Sequence, residues 1–203
     1  MEDLLERWRA VVGSGADELA RDLLRRWSEP HREYHTTAHL TAVLDAVDLL
    51  EHHAADPDAV RLAAWFHDAV YTGRPGEDET ASARLAAETL PGAGVSDDRV
   101  REVVRLVELT KTHDPDPGDA NGAVLSDADL AILGGEPVEY AGYAAAVRAE
   151  YPVTDEDYRR GRSAVLRRLL ALDPLYRTPT GVSRWAAAAR RNIRAELDLL
   201  SVS

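Results

Sequence analysis

Histidines and aspartates stand in this chain where they could bind a cation, if the fold brought them together. His39 closes the stretch EPHREYHTTAH, His67 and Asp68 lie side by side in LAAWFHDAVY, and Asp127 and Asp129 lie in LSDADLAIL. Neutral imidazoles and carboxylates are suitable ligands for a hard or borderline divalent ion. The His67-Asp68 pair interrupts an otherwise apolar run, and a carboxylate buried without a partner costs several kcal/mol. It must be paired, protonated or held against a cation. The dipeptide alone decides nothing, because a buried histidine bonded to a neighbour beside a solvated aspartate would read the same way. His113-Asp114 is a second such pair, and it falls in a loop rich in proline and glycine. The ordered company of His39 and the DAD aspartates is what points to a metal site drawn from separate helices of a bundle.

The elements that must position these groups are helical almost throughout. Leu4, Leu5, Trp8, Val11 and Val12 mark a first helix, and Leu19, Leu23, Leu24 and Trp27 a second. Thr36 or Thr37 can cap a third whose apolar face runs from Leu40 to Leu50. Asp56-Pro57 starts the next, which is expected to carry the whole LAAWFHDAVY motif. Further helices are expected near Glu79–Leu90, from Ser96 to Thr110, and over Ala123–Leu133, Val138–Glu150, Thr154–Leu172 and Val182–Leu200. The stretch THDPDPGDANG cannot be helix or strand. Alternating Val/Ile-rich runs are missing, so the fold class is all-α. The expected organisation is a single domain over 1–203, with a metal-site core at about 27–135 and C-terminal helices at about 136–200 packing on it.

Composition narrows the function classes. The chain carries 24 basic and 36 acidic residues, a net charge of −12, so polynucleotide binding is not expected. No apolar run is long enough to span a bilayer and the first ten residues read as an acidic amphipathic helix, so no membrane partner and a cytoplasmic location are expected. Cysteine is absent, which removes disulfides, thiol nucleophiles and thiolate metal sites. GRPGED lacks the Lys-Ser/Thr of a P-loop, and no GxSxG elbow is present.

The order His, His-Asp, Asp on a helical scaffold resembles the HD superfamily of metal-dependent phosphohydrolases. EPHRxYHxxxH, WFHDxVY, ExxSA (Glu79–Ala83), TxxH (Thr110–His113) and DxDLxILG (Asp127–Gly134) resemble a branch of small predicted HD phosphohydrolases. AEYPVTDEDYRRGRSAVLRRLL, PLYRT and ARRNIRAEL extend that resemblance to about Leu197. It implies a helical bundle of the HD type and a divalent metal ion (Mn, Mg, Fe, Co, Ni or Zn) held by His39, His67, Asp68 and one of Asp127 and Asp129. Residues two apart on a helix point about 200° away from each other, so the two aspartates should not both reach one ion. The more apolar neighbours of Asp129 favour it, leaving Asp127 as a helix-start acid.

Around that centre, His35 falls four residues before His39 and could face the reacting water or the substrate. Arg32 is a candidate phosphate clamp. Glu79 could contact a metal-linked water or a second ion, His113 could bind a second metal or position phosphate, and Lys111 could add positive charge. Arg148, Tyr151, Arg162 and Arg168 recur in the family-like pattern. The stripe through Trp185, Ala189, Ile193 and Leu197 is core or the surface of a homodimer. The reaction implied is hydrolysis of a phosphate ester of a nucleotide or small phosphorylated metabolite by a metal-activated water, with Asp68 receiving its proton. Two other readings stand beside it: a non-catalytic module that binds a nucleotide or protein partner, and a di-iron oxygenase.

Overall fold

A computed structural model describes residues 2–201. Ten α-helices follow one another: α1 (Glu2–Val12), α2 (Asp17–Arg26), α3 (Thr37–Leu50), α4 (Pro57–Phe66), α5 (Glu77–Thr89), α6 (Asp97–Leu109), α7 (Ala120–Asp129), α8 (Pro137–Glu150), α9 (Asp155–Ala171) and α10 (Pro179–Ser201). No strand occurs among the described residues. Several helix starts follow from local chemistry. The Thr36 hydroxyl accepts the Ala38 N–H at 3.3 Å, and Asp56 accepts the Ala59 N–H at 3.1 Å with Pro57 in the first turn. Asp119 and Thr154 cap α7 and α9 in the same manner.

The apolar faces meet in two clusters. The first gathers α1 to α7 around Trp8, Trp27, Trp65 and Phe66, all essentially inaccessible to solvent. The buried indole N–H groups of Trp8 and Trp27 both find carbonyls, Trp8 bonding Ala16 at 3.1 Å and Trp27 bonding Trp65 at 3.0 Å. The second cluster packs Leu133, Tyr140, Leu166, Tyr176 and Ile193 from the C-terminal half. Trp185 on α10 touches both clusters. At Gly134 the chain passes so close to it that an added Cβ would stand 2.4 Å from the Trp185 Cβ. The stripe through Trp185, Ala189 and Ile193 is therefore core within one chain.

Three expectations about the elements are corrected. The helix carrying LAAWFHDAVY stops at Phe66, with His67 as its C-cap and Asp68 in the turn beyond. Tertiary partners take over the backbone groups thus released: Arg32 donates to the carbonyls of Asp68 and Ala69, and the Ser82 hydroxyl accepts the Val70 N–H. Helix α7 begins at Ala120 because Asp119 caps it, so it claims the end of the predicted loop. Asp127 and Asp129 consequently lie in its last turn, and Asp127 is not a helix-start acid. Beyond Asp129 the chain tightens into a 3₁₀ turn over Leu130–Gly134.

Candidate metal centre

The ends of three helices converge on one point. His39 comes from the first turn of α3, His67 caps α4, and Asp129 is the last residue of α7. The His39 and His67 Nε2 atoms face each other at 3.3 Å, and Asp129 Oδ1 lies 3.1 Å from the first and 3.5 Å from the second. Three ligand atoms bonded to one ion at about 2.1 Å would stand roughly 3.0–3.4 Å apart in octahedral or tetrahedral geometry, so these spacings match a shared cation. The group is buried, and each residue offers one ligand atom. His67 is held in the required tautomer: its Nδ1–H donates to the Ala64 carbonyl at 2.9 Å, which turns Nε2 inward. His39, His67 and Asp129 can thus hold a metal ion.

Asp68 reaches the same place from the turn after α4, with Oδ2 3.1 Å from His67 Nε2. Electrostatics follow from the crowding of carboxylates. Burial alone would favour a neutral His67 ring, but Asp68 and then Asp129 outweigh it and hold its pKa well above the usual histidine value. Burial likewise opposes ionisation of Asp68 and Asp129, yet the neighbouring His67 keeps both carboxyls below the usual range. Burial pushes His39 and His113 down, towards the neutral ligand form. The His67 ring thus stands between two ionised carboxylates, and a cation binding there would take the place of its Nε2 proton.

His113 approaches from the other side, its Nε2 3.4 Å from Asp129 Oδ2. It has φ +52°, the left-handed region, and it is the sole non-glycine residue there among the described residues. Such a backbone is disfavoured for a side-chain-bearing residue, so the packing around it supplies the compensation that turns its ring inward. Its Nδ1 is buried without a hydrogen-bond partner. His35 precedes the Thr36 cap and is not on α3, yet its ring stacks on Tyr71 and its Nε2 comes within 3.9 Å of Asp68 Oδ2.

Two candidates are placed elsewhere. Asp127 is fully buried, and its carboxylate accepts the Arg177 N–H at 2.7 Å, the Thr178 N–H at 2.8 Å and the Thr178 hydroxyl at 2.7 Å. It is occupied at the start of α10 and is not in the metal cluster, as the angular separation of residues two apart requires. Arg32 does not line the cleft. Its side chain is wholly enclosed between Trp27 and Tyr71 and is spent on Glu29 and on the carbonyls of His35, Asp68 and Ala69.

Glu79 and Lys111 line the cleft that opens onto the cluster, a space of about 740 Å³. Glu79 accepts the Gly76 N–H at 2.5 Å in a capping interaction, and Lys111 bonds Glu108 and the Thr80 hydroxyl. The C-terminal half supplies the opposite wall, including Tyr143, Tyr151, Arg162 and Arg168.

The residue that sequence reasoning missed is Glu150. Its enclosed carboxylate bonds the His35 Nδ1 at 2.6 Å and accepts three successive backbone N–H groups, those of Glu33, Tyr34 and His35, at 2.8–2.9 Å. Tyr71 adds its hydroxyl at 2.9 Å. One signal was available: an acid as the last residue of a helix opposes the macrodipole and needs a local reason.

Set against known proteins, the chain matches no family model, no curated protein and no solved structure. The HD resemblance accordingly rests on the sequence motifs, and the geometry adds an all-helical chain with a buried His-His-Asp group.

Proposed function

We propose that this protein is a metal-dependent phosphohydrolase of the HD type, acting on the phosphate ester of a nucleotide or small phosphorylated metabolite. The observation that carries the reading is the buried His39–His67–Asp129 cluster opening into a cleft with Asp68 at its edge. A divalent ion held there, with Asp68 as a further ligand, would supply Lewis acidity towards a phosphoryl oxygen and lower the pKa of water.

The chain's own residues supply the rest. Asp68, ionised beside His67, can receive the proton of a water attacking phosphorus. His35 is fixed between Glu150 and the Tyr71 ring, so its Nε2 faces Asp68 and the cleft without searching for orientation. Arg168 on the cleft lining brings positive charge towards the phosphoryl oxygens, and Lys111 stands in the same lining paired with Glu108. The His67 ring itself is buried among apolar side chains.

The test is phosphate release from nucleotides and sugar phosphates with Mn²⁺, Mg²⁺, Co²⁺, Ni²⁺ or Zn²⁺, run beside Asp68→Ala. Turnover that falls at least a hundredfold in the variant supports the reading, and equal activity in the two proteins sinks it. Metal uptake with no turnover across the panel would favour a binding module. Two irons per chain with visible absorbance would favour an oxygenase.

A further inference from the structure

The cleft that opens onto the cluster is rich in aromatic rings. Five of the chain's seven tyrosines line it, Tyr34 and Tyr71 from the N-terminal half and Tyr143, Tyr151 and Tyr158 from the C-terminal half. Their rings are held in place. Tyr34 and Tyr143 meet edge to face with centroids 4.7 Å apart, Arg162 lies over the Tyr143 ring at 5.0 Å, and Arg148 lies over Tyr158 at 4.8 Å. Val147, Leu169 and Leu133 line the same cleft. Fixed aromatic rings in a half-dry cleft offer stacking and edge contacts at little cost in side-chain entropy.

Positive charge in the cleft is scarce. Four Arg and Lys side chains line the cleft: Arg162 is tied to buried Glu196 at 2.8 Å and Lys111 to Glu108, while Arg74 makes only an exposed contact with Glu77 at 3.6 Å. Arg168 alone among them has no hydrogen-bond or ion-pair partner among the described residues; its field reaches His113. Asp68, Asp78, Glu79, Asp129 and Asp157 face the same space. A diphosphate or triphosphate chain would enter against these five acids with Arg168 and the exposed Arg74 to meet it. A polyhydroxylated sugar would leave hydroxyls against rings and aliphatic carbons.

We infer that the cleft selects a phosphate monoester whose alcohol carries an aromatic ring, with its single phosphate at the His39–His67–Asp129 cluster and its ring against Tyr34, Tyr143 and Tyr158. The ester part rests on the phosphohydrolase reading; the choice of an aromatic body rests on the tyrosine lining alone. Hydrolysis of such an ester forms the bond from water oxygen to phosphorus and breaks the phosphorus–alcohol oxygen bond. Water's protons are shared between the released phosphate and the alcohol, so no co-reactant is needed.

Two measurements separate the inference from the reading beneath it. Binding of benzylphosphonate and methylphosphonate to the Mn²⁺-loaded protein, followed by calorimetry, needs no turnover. The aromatic compound should bind at least tenfold more tightly, and equal affinities overturn the inference whether or not the protein hydrolyses anything. Phosphate release should then show kcat/KM for phenyl phosphate at least tenfold above glucose 6-phosphate, and for a nucleoside monophosphate above its triphosphate. The reverse order in either comparison overturns it. An absence of release from every compound sinks the hydrolase reading and leaves the phosphonate comparison to decide on the aromatic preference. Tyr143→Ala should collapse the preference for benzylphosphonate; Tyr158→Ala serves if circular dichroism shows the first variant unfolded. Arg168→Gln should weaken both phosphonates alike. A tenfold preference that survives in both tyrosine variants would remove the tyrosines from the explanation.

Discussion

The Glu150 carboxylate stands 2.6 Å from the Nδ1 of His35, joining the end of α8 to the loop before α3 across 115 residues of chain. Burial disfavours its charge, but the His35 ring and the backbone N–H groups of Tyr34 and His35 outweigh that and lower its pKa to about 2. A folded value below the ordinary 4.5 means that ionised Glu150 stabilises the fold above about pH 4.5, and that this contribution is lost as pH falls towards 2. With solvent screening allowed for, the contribution at neutral pH is on the order of 2 kcal/mol. Urea unfolding from pH 7 to pH 3 should therefore show Glu150→Gln losing less stability on acidification than the parent. Parallel curves would show that Glu150 is not the group responsible.

Metal uptake should raise thermal stability, since the cluster exists only in the folded chain. An ion at a hundred times its dissociation constant stabilises by about 2.7 kcal/mol, and a domain of this size moves its Tm by about 2–4 °C per kcal/mol. Calorimetry with and without a chelator should show a shift of roughly 5–10 °C. His39→Ala should remove the shift along with the ion.

Asp127 and Asp129 differ by one intervening alanine yet should behave oppositely. Asp129→Asn should abolish stoichiometric metal binding, measured by elemental analysis after gel filtration, with folding retained. Asp127→Ala should keep a site able to bind metal but lose about 2–4 kcal/mol of stability, because the buried N–H groups of Arg177 and Thr178 and the Thr178 hydroxyl lose their acceptor. Metal loss in the second variant at a temperature where it remains folded would contradict this division.

Arg32→Lys should be costly although charge is kept. Lysine cannot reproduce the planar fork that meets Glu29 and the carbonyls of His35, Asp68 and Ala69. We expect a loss of about 2–4 kcal/mol in unfolding experiments together with weaker metal binding, as the Asp68 turn loosens. A variant as stable as the parent, with only KM raised, would restore Arg32 to the phosphate.

Much of the scaffold was legible because its signals are local. Thr36, Asp56 and Thr154 announce helix starts with side chains that reach only two or three residues, and the apolar period of α3 runs unbroken from Leu40 to Leu50. The metal trio was legible because few residue types can bind an ion and the types stood in order. Elsewhere the deciding partner lies far along the chain. Nothing near His67 announces that α4 ends there, since Arg32 and Ser82 arrive from other elements to satisfy the turn. Residue spacing predicts that Asp127 and Asp129 part company, but the partner that claims Asp127 is Thr178, 51 residues on. Glu150 was hidden for the same reason.

The last turn of α7 holds the cluster with Asp129 and the beginning of α10 with Asp127, and an added Cβ at Gly181 would stand 2.3 Å from that second carboxylate. Ion uptake and seating of the C-terminal helix therefore draw on the same pair of peptide units, and any coupling between them is felt equally at both sites. An ion bound by Asp129 would thus sit two residues from the contact that seats the chain's far end.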